Sequence, residues 1–91
     1  MSNTTDVVVE VLTSSACTRC HRAKTMVQQV IADCDDERIQ YREVDVVDAI
    51  DYAVELAILR VPAIAINGDL VFSTLPKPQA LQDAIIKRLG K

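Results

Sequence analysis

A β-branched run leads directly into Cys17-Thr18-Arg19-Cys20, and helical periodicity follows; this junction restricts the fold of the chain more than anything else in it. Val7 to Leu12 is nearly continuous in apolar residues, broken only by Glu10, which suits a largely buried strand rather than an amphipathic one. Thr13-Ser14-Ser15 ends it with residues that favour caps and turns. Ala23, Met26, Val27, Val30, Ile31 and Cys34 then recur at steps of three and four, the spacing of one helical face. A helix is therefore predicted from close to Cys17 as far as Cys34, with the cysteine pair at its start.

Beyond that helix, Asp33, Asp35, Asp36 and Glu37 oppose the negative end of its dipole and favour a solvated loop. Ile39, Tyr41 and Glu43 or Val44 alternate as a strand. Asp45 or Asp48 offers an N-cap for a second helix over Ala49 to Leu59, where Ile50, Ala53, Val54, Ala57 and Ile58 keep helical spacing. Val61 to Ile66 returns to strand composition. Asn67-Gly68 is the dipeptide that a type I′ hairpin requires, since both central residues need positive φ, and Leu70-Val71-Phe72 forms the returning strand. Pro76 and Pro78 open a last helix that carries Leu81, Ala84, Ile85 and Leu89 and stops at Gly90. The order is β α β α β β α. A helix between the first two strands implies a parallel pair and the hairpin adds antiparallel strands, so the fold class is α/β, a mixed four-stranded sheet flanked by helices.

A chain of 91 residues has room for one core, which buries about 60 to 65% of the unfolded surface, so residues 1–91 are expected to form a single domain with residues 1–5 flexible. Hydrophobic residues at 49% and charged residues at 25% fit a globular domain rather than a disordered one. The formal net charge of -3 and the three aromatics, Tyr41, Tyr52 and Phe72, argue against a nucleic-acid partner. Glu55 and Arg60 break the longest apolar stretch, which excludes a membrane span there, and residues 2–6 lack the pattern of a secretory signal. A cytoplasmic monomer is expected. Three cysteines are an odd count for a disulfide framework in such a compartment, and they point to chemistry.

At a helix start, free backbone N–H groups and the dipole stabilise a thiolate, which makes Cys17 the nucleophile. Cys20 lies on the same face within disulfide reach and deeper against the sheet, as the resolving thiol. Arg19 and His21 add cationic character beside the pair.

With Val61-Pro62 opening the strand before Asn67-Gly68, these residues resemble the thioredoxin and glutaredoxin superfamily. The likeness runs from about Val7 to Leu89 and is greatest to the small glutaredoxin-sized thioredoxin-like proteins of archaea and bacteria. It implies the minimal thioredoxin fold (βαβαββα), with a cis Pro62 beside the active disulfide and a Val61 backbone that pairs with the substrate chain. Arg19, Val61 and Pro62 are thus the expected substrate-binding residues. The sequence departs from the thioredoxin pattern at Ala16, where a Trp is usual, at Thr18-Arg19, where Gly-Pro is usual, and at Val11, the place of a buried Asp. Ser73-Thr74-Leu75-Pro76-Lys77-Pro78 replaces the Gly-Gly-Asp-like glutathione motif of glutaredoxins, so glutathione specificity is not supported.

Rival readings of the cysteine pair have to meet the same context. Cys17-Thr18-Arg19-Cys20-His21 fits c-type haem attachment, but such a domain is mainly helical and exported. A heavy-metal-associated domain would use the pair for Cu(I), yet its first helix is followed by two strands without a helix between them. Zinc would need Cys34, which is about 21 Å from Cys20 along one helix. A redox-inactive interaction module keeping the fold is the remaining alternative. The expectation is a thiol-disulfide oxidoreductase that needs no metal or organic cofactor, acts on disulfide-containing protein substrates and draws electrons from a separate reductase.

Overall fold

The computed structural model describes residues 6–89, so the segment 1–5 expected to be flexible and the helix stop expected at Gly90 lie outside the described residues. The elements are β1 (Val7–Thr13), α1 (Cys20–Cys34), β2 (Ile39–Asp45), α2 (Ile50–Glu55), β3 (Ala63–Ile66), β4 (Asp69–Phe72) and α3 (Pro78–Arg88), in the order expected. The strands form one mixed sheet in the order β2-β1-β3-β4. β1 runs parallel to β2, with Val7 opposite Ile39 and Thr13 opposite Asp45, and antiparallel to β3, with Val9 opposite Ile66.

Alternation along β1 divides the core. Val7, Val9 and Val11 point to one face, where they pack with Ala23, Val27 and Val30 of α1 and Leu81 and Ile85 of α3. Leu12 points to the other, where Val44, Ala63 and Ala65 meet Tyr52 and Leu56 of the α2 segment. Both faces of β1 are therefore covered, which explains its near-continuous apolar run. Leu81 and Ile85 are fully buried, and truncating either to Ala costs about 2–5 kcal/mol.

The Asn67-Gly68 turn has φ of 53° and 84°, as type I′ geometry requires. Asn67 also stitches the hairpin to β1: its N–H donates to the Val8 carbonyl at 2.9 Å, and its Oδ1 accepts from the Val8 N–H at 2.9 Å.

Three boundaries differ from expectation. Helix α1 starts at Cys20 rather than near Cys17, because the Cys17 N–H donates to the Ser14 carbonyl at 3.1 Å and the intervening residues form a turn. Helix α2 ends at Glu55 rather than Leu59. Ala57 enters the left-handed region at φ 58°, and the Ile58 N–H closes back onto the Ala53 carbonyl at 3.0 Å, a Schellman stop made without glycine. Neither Asp45 nor Asp48 caps α2: Asp45 Oδ1 instead accepts from the Val47 N–H at 2.8 Å, holding a turn ahead of the helix, whose N-cap is Ala49. Leu59 consequently leaves the helix and is 95% exposed, and Val61-Pro62 precedes β3 rather than opening it.

Candidate active site

The cysteine pair lies where β1 gives way to α1, and the two thiols are joined as a disulfide with Cα atoms 5.4 Å apart. Cys17 is half-buried in the turn, three residues ahead of the first helical residue. Cys20 is that first residue and is 2% exposed. The pair thus has one accessible sulfur and one enclosed sulfur.

The electrostatics at this end of α1 are one-sided. Arg19, the N-cap, provides no side-chain hydrogen bond to the first turn, and that turn contains no acidic residue. Its free N–H groups and the positive end of the dipole are left without an anionic partner, which favours a thiolate at the adjacent Cys17. Arg19, His21 and Arg22 follow in sequence around the pair and none is opposed by an ion pair among the described residues.

Opposite the disulfide, the segment leading into β3 brings Val61 and Pro62 to the same cleft. The Val61-Pro62 peptide bond is cis and Pro62 is buried. Val61 lies ahead of the β3 ladder, and its backbone makes no hydrogen bond to other described residues. A concavity of about 320 Å³ is lined by Ser14, Cys17 and Val61 among others. A second, of about 350 Å³, takes its wall from Arg22, Arg60, Pro62, Ser73 and Thr74. The two share Thr18, Arg19 and Val61, so Cys17, Arg19, Val61 and Pro62 border one continuous cleft. Cys20 lies beneath it. Arg22 and Arg60 carry no site signal in the sequence, and Ser73-Thr74 stand there only as a departure from the glutathione motif, because only the crossing of the α1 start with the loops before β3 and after β4 brings the four together.

Glu10, the break in the apolar run of β1, is buried. It is 4% exposed in mid-strand, its Oε1 accepts a hydrogen bond from the Tyr52 hydroxyl, and its Oε2 lies 3.1 Å from Arg42 Nη1. Val11 is fully buried on the α1–α3 face, so the buried carboxylate of this strand is one residue earlier and faces α2. The charged residue interrupting an apolar run was the signal for it. Burial, followed by the Glu10 contact, pushes the Tyr52 hydroxyl up to about 12.

Cys34 ends α1, half-buried, at the far end of the helix from Cys20 and about 21 Å from it. Burial pushes its thiol up, and the neighbouring Asp33 and Asp36 push it further, so it is a poor nucleophile at neutral pH. Among the described residues no group of three or more His, Cys, Asp or Glu side chains is placed to hold a metal ion, and no helix is long and apolar enough to cross a membrane.

Comparison with known proteins agrees with this geometry. A family model described as a thioredoxin domain matches residues 7–86. A thioredoxin of Methanocaldococcus jannaschii is 37% identical over 83 residues, covering 91% of this chain and 96% of that protein. A probable thioredoxin of Methanothermobacter thermautotrophicus is 34% identical over 79 residues, covering 87% and 92%. Among solved structures, a mutant thioredoxin from Halobacterium salinarum superposes with a TM-score of 0.74 at 20% identity, covering 92% of this chain and 75% of that one, a likeness that speaks for the fold. A domain match along nearly the whole chain, and relatives that align almost end to end, mean that this chain belongs to the thioredoxin domain family and is a thiol-disulfide oxidoreductase.

Proposed function

We propose that the chain works as a single domain in which Cys17 attacks and Cys20 resolves, reducing disulfides in protein substrates that lie along Val61. The asymmetry of the pair carries this reading: Cys17 is half-buried beside the cleft, and Cys20 is enclosed beneath it. The Cys17 thiolate attacks one sulfur of the substrate disulfide, that S–S bond breaks, and the departing sulfur takes up a proton. Cys20 then loses its proton and attacks the Cys17 sulfur, and the second substrate thiol is displaced. Two electrons pass to the substrate and the internal disulfide remains. A separate reductase or dithiol must supply two electrons for the next cycle. Arg19 flanks the thiolate, while Pro62 walls the cleft and Val61 presents its backbone to an extended substrate segment. Monomeric action in the cytoplasm, where reducing equivalents are at hand, fits this role.

Trapping tests the division of labour. Cys20→Ser should accumulate a mixed disulfide with a protein substrate, because nothing resolves it, whereas Cys17→Ser should accumulate none. Mass spectrometry of the acid-quenched reaction reads both, and equal trapping by the two variants would refute the assignment.

A further inference from the structure

The rim of the cleft carries three guanidinium groups that the exchange chemistry does not itself require. Arg19 precedes α1, Arg22 belongs to its first turn, and Arg60 comes from the segment that leads to Val61, yet all three line one concavity of about 350 Å³. Ser73 and Thr74 add hydroxyl donors from the loop after β4. All three arginines are exposed, and among the described residues none has a carboxylate within ion-pair distance, whereas Lys24, Arg38 and Arg42 each have one. The chain's formal charge is -3, so this gathering of positive charge runs against the balance of the whole molecule. The uncapped N-terminus of α1, with no acidic residue in its first turn, reinforces it.

The arginine-lined concavity joins the one at Cys17 through Thr18, Arg19 and Val61. An extended chain seated on the free Val61 backbone, with its disulfide at Cys17, advances about 3.3 Å per residue. A side chain one or two positions from the attacked cysteine therefore enters the arginine-lined part. Carboxylates match a set of guanidinium forks better than any other common side chain.

We infer that this cleft selects polypeptide disulfides flanked by acidic residues, with Arg22 and Arg60 as specificity determinants. The inference rests on the oxidoreductase reading with Cys17 as the attacking thiol. A polypeptide is the occupant because the open Val61 backbone offers strand-type pairing that a small thiol does not use along its length.

The test compares two synthetic disulfide peptides that differ only in having Asp or Ser at the positions flanking each cysteine. Their second-order rates of reduction by the reduced protein are measured by stopped flow. At low salt the Asp peptide should react about five- to tenfold faster, a combination of steering and a few exposed ion pairs. Near 1 M salt, where screening acts within about 3 Å, the ratio should approach one. The Arg22→Gln, Arg60→Gln double variant should bring the low-salt ratio to within about twofold of one, and Arg60→Glu should move the preference toward a Lys-flanked peptide. Because one thiol attacks both peptides, changes in its intrinsic reactivity cancel in the ratio.

A ratio near one in the unmodified protein, or a preference that survives the double variant, overturns the inference while leaving disulfide reduction intact. Failure to reduce either peptide overturns the oxidoreductase reading and the inference with it. Oxidised glutathione reacting faster than the Asp peptide, with the advantage lost in the double variant, would assign the concavity to a small anionic disulfide and overturn the choice of a polypeptide.

Discussion

Removing one hydroxyl, by Tyr52→Phe, tests whether α2 is tied to the sheet through a buried charge. Glu10 is 4% exposed and points to the α2 face, because its neighbours Val9 and Val11 point into the α1–α3 core. Arg42 stands directly opposite it on β2, and Ala65 opposite it on β3 is small enough to leave the carboxylate room. The Arg42 side chain is 62% exposed, so that ion pair is screened and contributes at most about 1 kcal/mol. The Tyr52 hydroxyl is the stronger tie, since a hydrogen bond to a charged group contributes about 1.5–3 kcal/mol. A concavity of about 270 Å³ borders Glu10, Arg42 and Tyr52, so water reaches the abandoned oxygen and holds the loss to the lower part of that range. Phenylalanine keeps the ring and adds no large cavity. The expected loss is about 1.5–2 kcal/mol, or about 6–16 °C in melting temperature for a domain of this size.

A double-mutant cycle isolates the tie, with urea unfolding of the disulfide-bridged protein as the assay. In a Glu10→Leu background the hydroxyl has lost its acceptor, and Tyr52→Phe should then cost less than about 0.5 kcal/mol. A loss below about 0.5 kcal/mol in the parent, or an equal loss in both backgrounds, would refute the reasoning. The functional consequence lies just downstream. Residues 57–62 run from the end of α2 to the cleft, so loosening α2 loosens the segment that carries Arg60, Val61 and Pro62.

Ala57→Gly should stabilise the protein by about 0.5–1 kcal/mol in urea unfolding, since removing a Cβ at φ 58° relieves about 1–2 kcal/mol and the freer unfolded chain returns part of it. Destabilisation there would contradict the left-handed stop. Tyr52 has its hydroxyl raised from 10 to about 12 in the fold, so its proton stabilises the folded state fully below pH 10, and that contribution is lost as pH rises from 10 to 12. The melting temperature should accordingly fall over that window, and less steeply in Tyr52→Phe. Arg22→Glu puts a carboxylate in the first turn of α1, and should raise stability by about 0.3–1 kcal/mol while slowing alkylation of Cys17 in the reduced protein. A variant that is more stable and alkylates as fast would break the link between that local field and the thiolate.

Local chemistry written into adjacent residues was legible in the sequence. Asn67-Gly68 announces its turn because positive φ at two successive positions restricts residue choice, and the apolar periodicity of α1 and α3 follows from faces that meet the sheet. Boundaries that depend on competition between backbone partners were not. Ser14 takes the Cys17 N–H, which delays α1, and Ala57 adopts a conformation that normally signals glycine, which shortens α2. At the cleft, the cysteine pair stands out by its spacing at a strand-to-helix junction, and Val61-Pro62 stands out only through the resemblance to the thioredoxin and glutaredoxin superfamily. Arg22 and Arg60 do not stand out, since an exposed arginine looks like any other until the fold sets two of them across one concavity.

Helix α1 is charged against its own dipole at both ends, and this orders the chemistry of the three thiols. Arg19 and Arg22 stand at its positive end, while Asp33, Asp35, Asp36 and Glu37 gather at its negative end, where among the described residues only Asp36 has an ion pair, to Arg38 at 2.7 Å. Each such placement costs about 0.3–1 kcal/mol. The helix tolerates this because Ala23, Val27 and Val30 are buried against the sheet, and a fully buried Val contributes about 1.5–3 kcal/mol. Packing, rather than charge, holds α1 in place. Cys17 therefore sits in a positive field that favours its thiolate, and Cys34 sits in burial and a negative field that hold its thiol protonated. Cys20 is enclosed beneath the cleft and bonded to Cys17, which fits the resolving role proposed for it. Reversing the charges at either end would make a better helix and blur that separation, which is why a stability-optimised α1 would make a poorer exchange catalyst.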